Sequence, residues 1–503
     1  MCQRFKSRGF SLTSLIKVLK HRFSLNHTKN DQSQAHQPDH DQRVIRRYVV
    51  IGNGISGVEA SKRIRTLDEN SEIIMISRES TLHWSRPALM YLFMGELSLE
   101  EATPYPRSWF ERHRITLQER NVVRIEREKR ELYFSDHHSL TYDVLLIAVG
   151  SSPRRLPIPH ASHERIMGLY HLQDIERLDR LSQGIDRAVI VGGGLIAVEW
   201  AEMLLSRGIE VEVVVRDELF ASHILQRAEA RIVTEHMLSH GVKIHARREL
   251  IAINEGEEEK LLNVTLSSGE VLEVGLVCVA IGVEPAIKGL EGIDPLCDRG
   301  ILVDARMQSS DPHIFAAGDC AEFAEDLASD AVNRISGTWY ESRLMGRVAG
   351  ESMVTALYDQ HAFESAHELT LYKPSDEQWF NSAKFFDIEY QEYGTHFGCS
   401  PHEHELRELS PNDTVQSFSN DDKYCLFWRH PTKERTLRLI FSGGVIIGFA
   451  SLGIRLRQKE CERFMRSNYR LNEVLDQLLL LRFDEEFNDT LKRAQLELMQ
   501  LYV

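Results

Sequence analysis

Two short clusters of small residues carry the first chemical signal. Gly52, Gly54 and Gly57 follow the apolar run Tyr48-Val49-Val50-Ile51, and Gly192, Gly194 and Ala197 follow Ala188 to Val191. In each cluster the first glycine permits a tight turn. The second lets the backbone approach a pyrophosphate, and the third small residue lets a helix pack closely on the strand. The helix that follows presents free N–H groups and the positive end of its dipole to phosphate. Glycine spacing alone is a weak signal, but strand before and helix after make it specific. Two dinucleotide sites are therefore expected. The strand "IIMIS" ends near Glu79, the candidate for holding the adenosine ribose hydroxyls of the first.

The stretch "EVVVRDE", Glu212 to Glu218, bears on which coenzyme the second site holds. An NAD site places an acid at the strand end to accept hydrogen bonds from both ribose hydroxyls, and that acid would repel a 2′-phosphate. Here the acid's place falls on Val215, and Arg216 follows. This favours NADPH, while Asp217 and Glu218 keep NADH open.

The elements that must position these residues are legible in outline. "YVVIGNGISGVEASKRIRTLDENSEIIMISRE" and "RAVIVGGGLIAVEWAEMLLSRGIEVEVVVRDE" each read as strand, glycine turn, helix, strand. A chain of 503 residues is expected to hold about two to four domains. From about residue 366 the pattern changes to strand-like "AKFFDIEYQEYG" and "KYCLFWRH", then helical "NEVLDQLLLLRFDEEF". The longest apolar run, Leu439 to Ile454, is interrupted by Gly443-Gly444 and is too short for a comfortable membrane span. It reads as a hairpin, "LRLIF" turning through "SGG" into "VIIGFASLG".

Composition narrows the classes. A net charge of −15 argues against a nucleic-acid footprint over the whole molecule. Seven cysteines, scattered and without a CxxC or CxxxxC pair, fit a reducing, cytoplasmic compartment better than a disulfide framework. Residues 1–46 read as a flexible tail, basic at first and then polar, with a transit peptide or a surface membrane anchor as alternatives. "HFGCSPHEHE" groups His396, Cys399, His402 and His404, ligand types that suit zinc or iron, but the spacing fits no known motif and reads as a polar loop. No metal ligands are assigned.

A further element, "DPHIFAAGDCAEF", ends an apolar strand in Gly318-Asp319. Here the sequence resembles the two-dinucleotide flavoprotein superfamily, which includes glutathione reductase, ferredoxin and rubredoxin reductases, and the flavin domain of the nitrite reductase large subunit. In that family the Asp of "AxGD" lies on the ribityl chain of FAD. Three more stretches carry the resemblance across roughly residues 47–360: "YDVLLIAVGSSPRRLP" with Gly150, "LVCVAIGVEPAI" with Gly282, and "HWSRPALMY" with Arg86, laid beside the flavin in ferredoxin-type reductases.

The resemblance implies an α/β fold with two Rossmann-like domains and a C-terminal α+β interface-type domain. An FAD-binding domain over residues 47–156 and 286–365 would surround an NAD(P)-binding domain over 157–285, with residues 366–503 beyond. It also places Val122 and Trp339 among the flavin contacts. The implied function is an FAD-dependent NAD(P)H oxidoreductase passing electrons to a ferredoxin, a rubredoxin or another small redox protein. The interface-type domain admits a homodimer; a coenzyme-responsive redox sensor comparable to the apoptosis-inducing factor family and a membrane-associated quinone reductase are the alternative functions.

Departures from the family pattern matter as much. No cysteine lies between Cys2 and Cys278, so thiolate chemistry against the flavin from that segment is excluded. Glu199 matches the family's carboxylate near the flavin, but Tyr91 stands where its partner lysine belongs. Arg86, the nearest cation in sequence, is expected to compensate, and burial is expected to raise the Glu199 pKa. "GTWYESRLMGRVAG" departs from the small residues and Gln of the family's helix there. Glutathione reductase follows its strand-end Arg with a second; here that place is Ser222, with His223 beside it.

Overall fold

The computed structural model describes residues 45–258, 260–323, 335, 337–357, 370–372, 379–394, 407–408 and 423–502. The His396/Cys399/His402/His404 group and nearly all of the N-terminal tail lie outside them.

The first unit opens with β1 (Arg47–Ile51), α1 (Ile55–Leu67) and β2 (Glu72–Ser77). Two short helices follow, α2 (Leu89–Phe93) and α3 (Arg107–Arg112), then β3 (Ile115–Glu119). A small antiparallel sheet, β4 (Val122–Glu126), β5 (Glu131–Phe134) and β6 (Ser139–Thr141), leads into β7 (Val144–Ile147). β1 lies between β2 and β7, parallel to both, with Ile51 opposite Ile76 and Ile147. Tyr48, Val49 and Val50 are fully buried, which is why β1 reads as a continuous apolar run rather than an alternating one.

After the crossover strand β8 (Ser151–Pro153) the second unit repeats the plan. It contains β9 (Ile166–Gly168), α4 (Leu172–Leu181), β10 (Arg187–Val191), α5 (Leu195–Ser206), β11 (Glu210–Val215), α6 (Arg227–Ser239) and β12 (Lys243–Ala246). An antiparallel sheet, β13 (Leu250–Glu255), β14 (Leu262–Leu266) and β15 (Val271–Val274), precedes β16 (Leu276–Val279). The parallel sheet runs β12-β11-β10-β16-β9. The chain returns through β17 (Val283–Pro285), which pairs antiparallel with β8, so the two crossovers between units brace each other.

On return, β18 (Ile301–Val303), β19 (Ile314–Ala316) and β20 (Ala321–Phe323) follow, and β19 completes the first sheet, β19-β7-β1-β2-β3. Helix α7 (Trp339–Leu357) then packs on α1. The approach is close: a Cβ on Gly346 would lie 2.2 Å from the Ser56 carbonyl oxygen.

The C-terminal part is a six-stranded sheet backed by helices. Its strands are β21 (Trp379–Phe385), β22 (Ile388–Gly394), β23 (Arg407–Glu408), β24 (Lys423–Arg429), β25 (Thr436–Ser442) and β26 (Val445–Leu452), in the order β21-β22-β26-β25-β24-β23. The expected hairpin is β25–β26, with Ser442 opposite Val445 and both turn glycines at positive φ. The expected long helix is instead broken into α9 (Leu471–Asp476) and two 3₁₀ turns, after α8 (Gln458–Arg466) and before α10 (Asn488–Tyr502). Arg457 donates its N–H to the Leu481 carbonyl, and Leu456 bridges Arg482, so backbone pairing replaces helix there. Leu475, Leu478 and Leu481 are fully buried in this domain's core.

The C-terminal sheet docks on the second unit. Phe385, Phe386, Ile388, Tyr390 and Leu452 share one core with Trp200 and Ala230. A buried ion pair, Arg438 Nε to Glu229 Oε1 at 2.7 Å, spans the boundary.

Candidate functional site

Both glycine turns have the shape a dinucleotide needs. Gly52 has φ +110°, and a Cβ there would lie 2.0 Å from the Ala148 carbonyl oxygen. Gly192 has φ +122°, with the Ala280 carbonyl oxygen 2.2 Å from the corresponding point. Only glycine fits either position. Beside them, a Cβ on Gly54 would meet nothing within 4 Å, and one on Gly194 would meet only His223 Nε2 at 3.6 Å. Open space therefore lies over the second glycine of each turn, where a pyrophosphate would approach the backbone. Helices α1 and α5 start there with no side-chain cap and no acid in the first turn. Uncapped N–H groups and an unopposed dipole suit a phosphate anion.

Asp319 follows Gly318 at the end of β19, within reach of the first turn. Its Oδ2 accepts a hydrogen bond from Ser151 Oγ at 2.7 Å, and its Oδ1 one from Ser342 Oγ at 3.2 Å. The Tyr170 hydroxyl lies 2.7 Å from Ser151 Oγ, and a Cβ on Gly150 would come within 3.4 Å of it. Trp339 begins α7 one turn before Ser342 and packs edge-on against Tyr340. Val122 starts β4, and Gly282, at φ +96°, opens the turn into β17. The serines and Tyr170 carried no motif and were missed from sequence.

Glu79 is heavily engaged. Its carboxylate pairs with Arg86 at 2.9 Å and His171 at 3.4 Å, and accepts the Leu172 N–H at 3.0 Å. Burial works to raise its pKa, but the His171 and Arg86 interactions prevail and hold it at about 2. The Arg86 guanidinium lies 4.9 Å from the Trp84 ring centroid and 4.3 Å from that of Tyr170. Glu79 and Arg86 thus clamp the first unit to the start of α4. The expected compensation of Glu199 by Arg86 is corrected here: Arg86 is held by Glu79 and the two rings.

The cation near the Glu199 cluster comes from the C-terminal sheet. Glu199 is partly buried on α5, and burial, with Glu202 adding to it, pushes its pKa up to about 7. Burial also raises Glu202 to about 7, against the opposing Lys384 charge and the Phe386 N–H, which donates at 2.9 Å. Lys384 Nζ lies 3.8 Å from Glu202 and 5.9 Å from the Tyr91 ring centroid. Tyr91 is pushed up to about 12 by burial and the surrounding carboxylates, so it stays a neutral phenol.

At the second turn β11 ends at Val215, and Arg216 is three-quarters exposed, 3.9 Å from Glu249. The Arg248 N–H donates to the Val215 carbonyl and the Arg247 N–H to that of Asp217. The loop after β12 thereby brings two more arginines beside the strand end, a juxtaposition the local stretch did not reveal. Glu218 is held by Arg247 at 3.0 Å and Arg227 at 3.3 Å. Among the described cysteines, burial raises Cys278, Cys320 and Cys461 above the ordinary thiol range, and Cys297 reaches about 11. None of these is a poised thiolate.

Two glycine turns on two parallel sheets define a two-dinucleotide flavoprotein class. Residues 46–342 match the pyridine nucleotide-disulphide oxidoreductase family, and the chain belongs to it. FAD and NAD(P)H are the cofactors of that family. The chain is 29% identical over 278 residues to an assimilatory nitrate reductase electron transfer subunit of Bacillus subtilis, covering 55% of this chain and 36% of the relative. It is 30% identical over 280 residues to rhodocoxin reductase of Rhodococcus erythropolis, covering 55% and 65%. The chain thus spans about a third to two thirds of the length of these relatives. A ferredoxin reductase from Rhodopseudomonas palustris shares the fold, with TM-score 0.68 at 20% identity over 86% of this chain and 99% of that one.

Proposed function

We propose that the chain is an FAD-dependent NAD(P)H oxidoreductase that passes electrons to a small redox protein of the ferredoxin or rubredoxin kind. The observation that carries this reading is the pair of uncapped helix N-termini over open glycine turns, one on each parallel sheet. Residues 47–156 and 286–365 form the FAD-binding part, 157–285 the NAD(P)-binding part, and 366–503 the interface-type domain. FAD, when bound, supplies the acceptance of hydride and its release as single electrons.

The chain's own residues bind and orient. Backbone N–H groups at the start of α1 would hold the FAD pyrophosphate, and those of α5 that of the coenzyme. Ser151 and Ser342 hold the Asp319 carboxylate, which would bind the ribityl hydroxyls of FAD. Glu199, raised to about 7, holds or releases a proton at its carboxyl near neutral pH. Lys384 positions that cluster through Glu202. Val215, Arg216 and Arg248 favour the 2′-phosphate of NADPH over NADH. With no cysteine between Cys2 and Cys278, electrons leave to an external acceptor rather than a resident disulfide. The scattered cysteines favour a reducing, cytoplasmic location.

Steady-state turnover with NADPH and a panel of acceptors tests this. Fast reduction of a ferredoxin or rubredoxin supports it, whereas a preference for quinone or negligible turnover with coenzyme-dependent dimerisation contradicts it.

A further inference from the structure

We propose a divalent metal site, suited to Zn²⁺, that staples the C-terminal domain to the second dinucleotide unit. Its ligands are His236 on α6, His240 at the C-cap of that helix, and Asp387 in the turn between β21 and β22. The three ligand atoms lie within 4.8 Å of one another. His236 Nε2 is 2.6 Å from Asp387 Oδ1, and His240 Nε2 is 3.9 Å from the same oxygen. Ligands bound tetrahedrally to zinc at about 2.0–2.1 Å stand roughly 3.3 Å apart. The two distances bracket that value, so small side-chain rotations would complete the geometry.

The other ring nitrogens carry the inference. His240 Nδ1 lies 3.0 Å from the His236 carbonyl oxygen, which can only accept, so Nδ1 carries the proton. His236 Nδ1 lies 3.1 Å from a Glu434 carboxylate oxygen, which also accepts. Without a metal, His236 therefore donates from both ring nitrogens, Nδ1–H to Glu434 and Nε2–H to Asp387. A bound cation would replace the Nε2 proton, and His240, protonated at Nδ1, already turns its Nε2 lone pair toward the same carboxylate. With that proton replaced, three electron-rich atoms converge on the cation. A ligand histidine held through its far nitrogen by a carboxylate or carbonyl is the usual outer-shell arrangement. Two imidazoles and a carboxylate suit zinc. The Asp387 side chain is 78% exposed, which leaves the fourth position open to water.

The hairpin tip is held for this role. The Phe386 ring stacks on His240 with centroids 4.5 Å apart, and the Phe386 N–H binds Glu202. A metal here would fix the hairpin that also carries Lys384, independently of which coenzyme or acceptor the protein uses.

The test uses the untagged full-length protein, stripped with a chelator and titrated with Zn²⁺ against a chromophoric competitor. Thermal melting is read in parallel. One tight equivalent and a raised Tm are expected in the wild type. His240→Gln and Asp387→Asn each lose that equivalent, and Glu434→Gln weakens it about 10- to 100-fold. Zinc-edge X-ray absorption of the wild type, which requires no variant to fold, should show two imidazole ligands. A wild type whose Tm and competitor signal ignore Zn²⁺ overturns the proposal and leaves His236 as an imidazolium between two carboxylates. An equivalent that persists in both ligand variants overturns it equally, because the metal then sits elsewhere.

Discussion

At the first turn, a Cβ on Gly57 would lie 2.1 Å from the Gly52 carbonyl oxygen, whereas the matching place in the second turn carries the methyl of Ala197. The helices start differently too. Val58 donates to the Gly54 carbonyl in an α-type bond, while Ala197 donates to that of Gly194 in a tighter 3₁₀-type bond. Around the first turn stand α7, the serine-held Asp319 and the Glu79–Arg86 clamp. Around the second, Arg216, Asp217 and Glu218 are all exposed. One backbone device thus serves two purposes. The turn flanked by α7, Asp319 and the Glu79–Arg86 pair suits a resident cofactor, and the one beside an exposed strand end suits a coenzyme that must arrive and leave.

The largest expected effects come from closing the turns. Gly52→Ala and Gly192→Ala should each cost about 2–4 kcal/mol, through strain at positive φ and a clash with backbone. Absorbance after gel filtration should separate them: Gly52→Ala loses bound flavin, and Gly192→Ala keeps it but no longer binds coenzyme. Loss of flavin in both would collapse the distinction between the two units.

Next in size is the exchange at the third position. Gly57→Ala should destabilise by about 1–3 kcal/mol because the methyl meets backbone. Ala197→Gly should cost only about 1 kcal/mol, the loss of helix propensity. Chemical denaturation of both variants checks the asymmetry, and equal costs would show that the two helices are packed alike.

A smaller effect concerns pH. Glu199 titrates higher in the folded state, near 7, than when unfolded. The native state therefore binds the extra proton between these values, and stability falls as pH rises from the ordinary carboxylate range to about 7. Glu199→Gln removes the penalty. It should melt like the wild type at acid pH and be more stable at pH 8 by about 1–2 kcal/mol. It should also slow flavin reduction by coenzyme, and an unchanged rate would remove Glu199 from the chemistry.

The smallest expected change is in coenzyme choice. Arg216→Glu should move the NADPH/NADH ratio of kcat/KM toward NADH by roughly fivefold, a modest figure because the side chain is exposed. A ratio that does not move would leave Arg216 a solvated strand end.

The turns were legible in the sequence because sterics at Gly52 and Gly192 leave no other residue. The Gly443-Gly444 hairpin was legible for a softer reason, since both turn positions have the positive φ that glycine favours. Side-chain partners that meet across the fold were not. Arg86 is expected beside Glu199 because it is the nearest cation in sequence, yet Glu79 and two aromatic rings hold it. The cation near Glu202 arrives on β21, far along the chain. The break after Asp476 was hidden because a leucine run suits helix until backbone pairing with residues 455–457 competes. Nothing local to "TEHMLSHG" reveals the Asp387 that meets its histidines.

The most direct test is anaerobic mixing of the purified flavoprotein with NADH and NADPH side by side, following flavin absorbance. Stoichiometric bleaching by coenzyme, faster with NADPH, is the predicted result. Flavin that stays oxidised with both coenzymes would contradict the account.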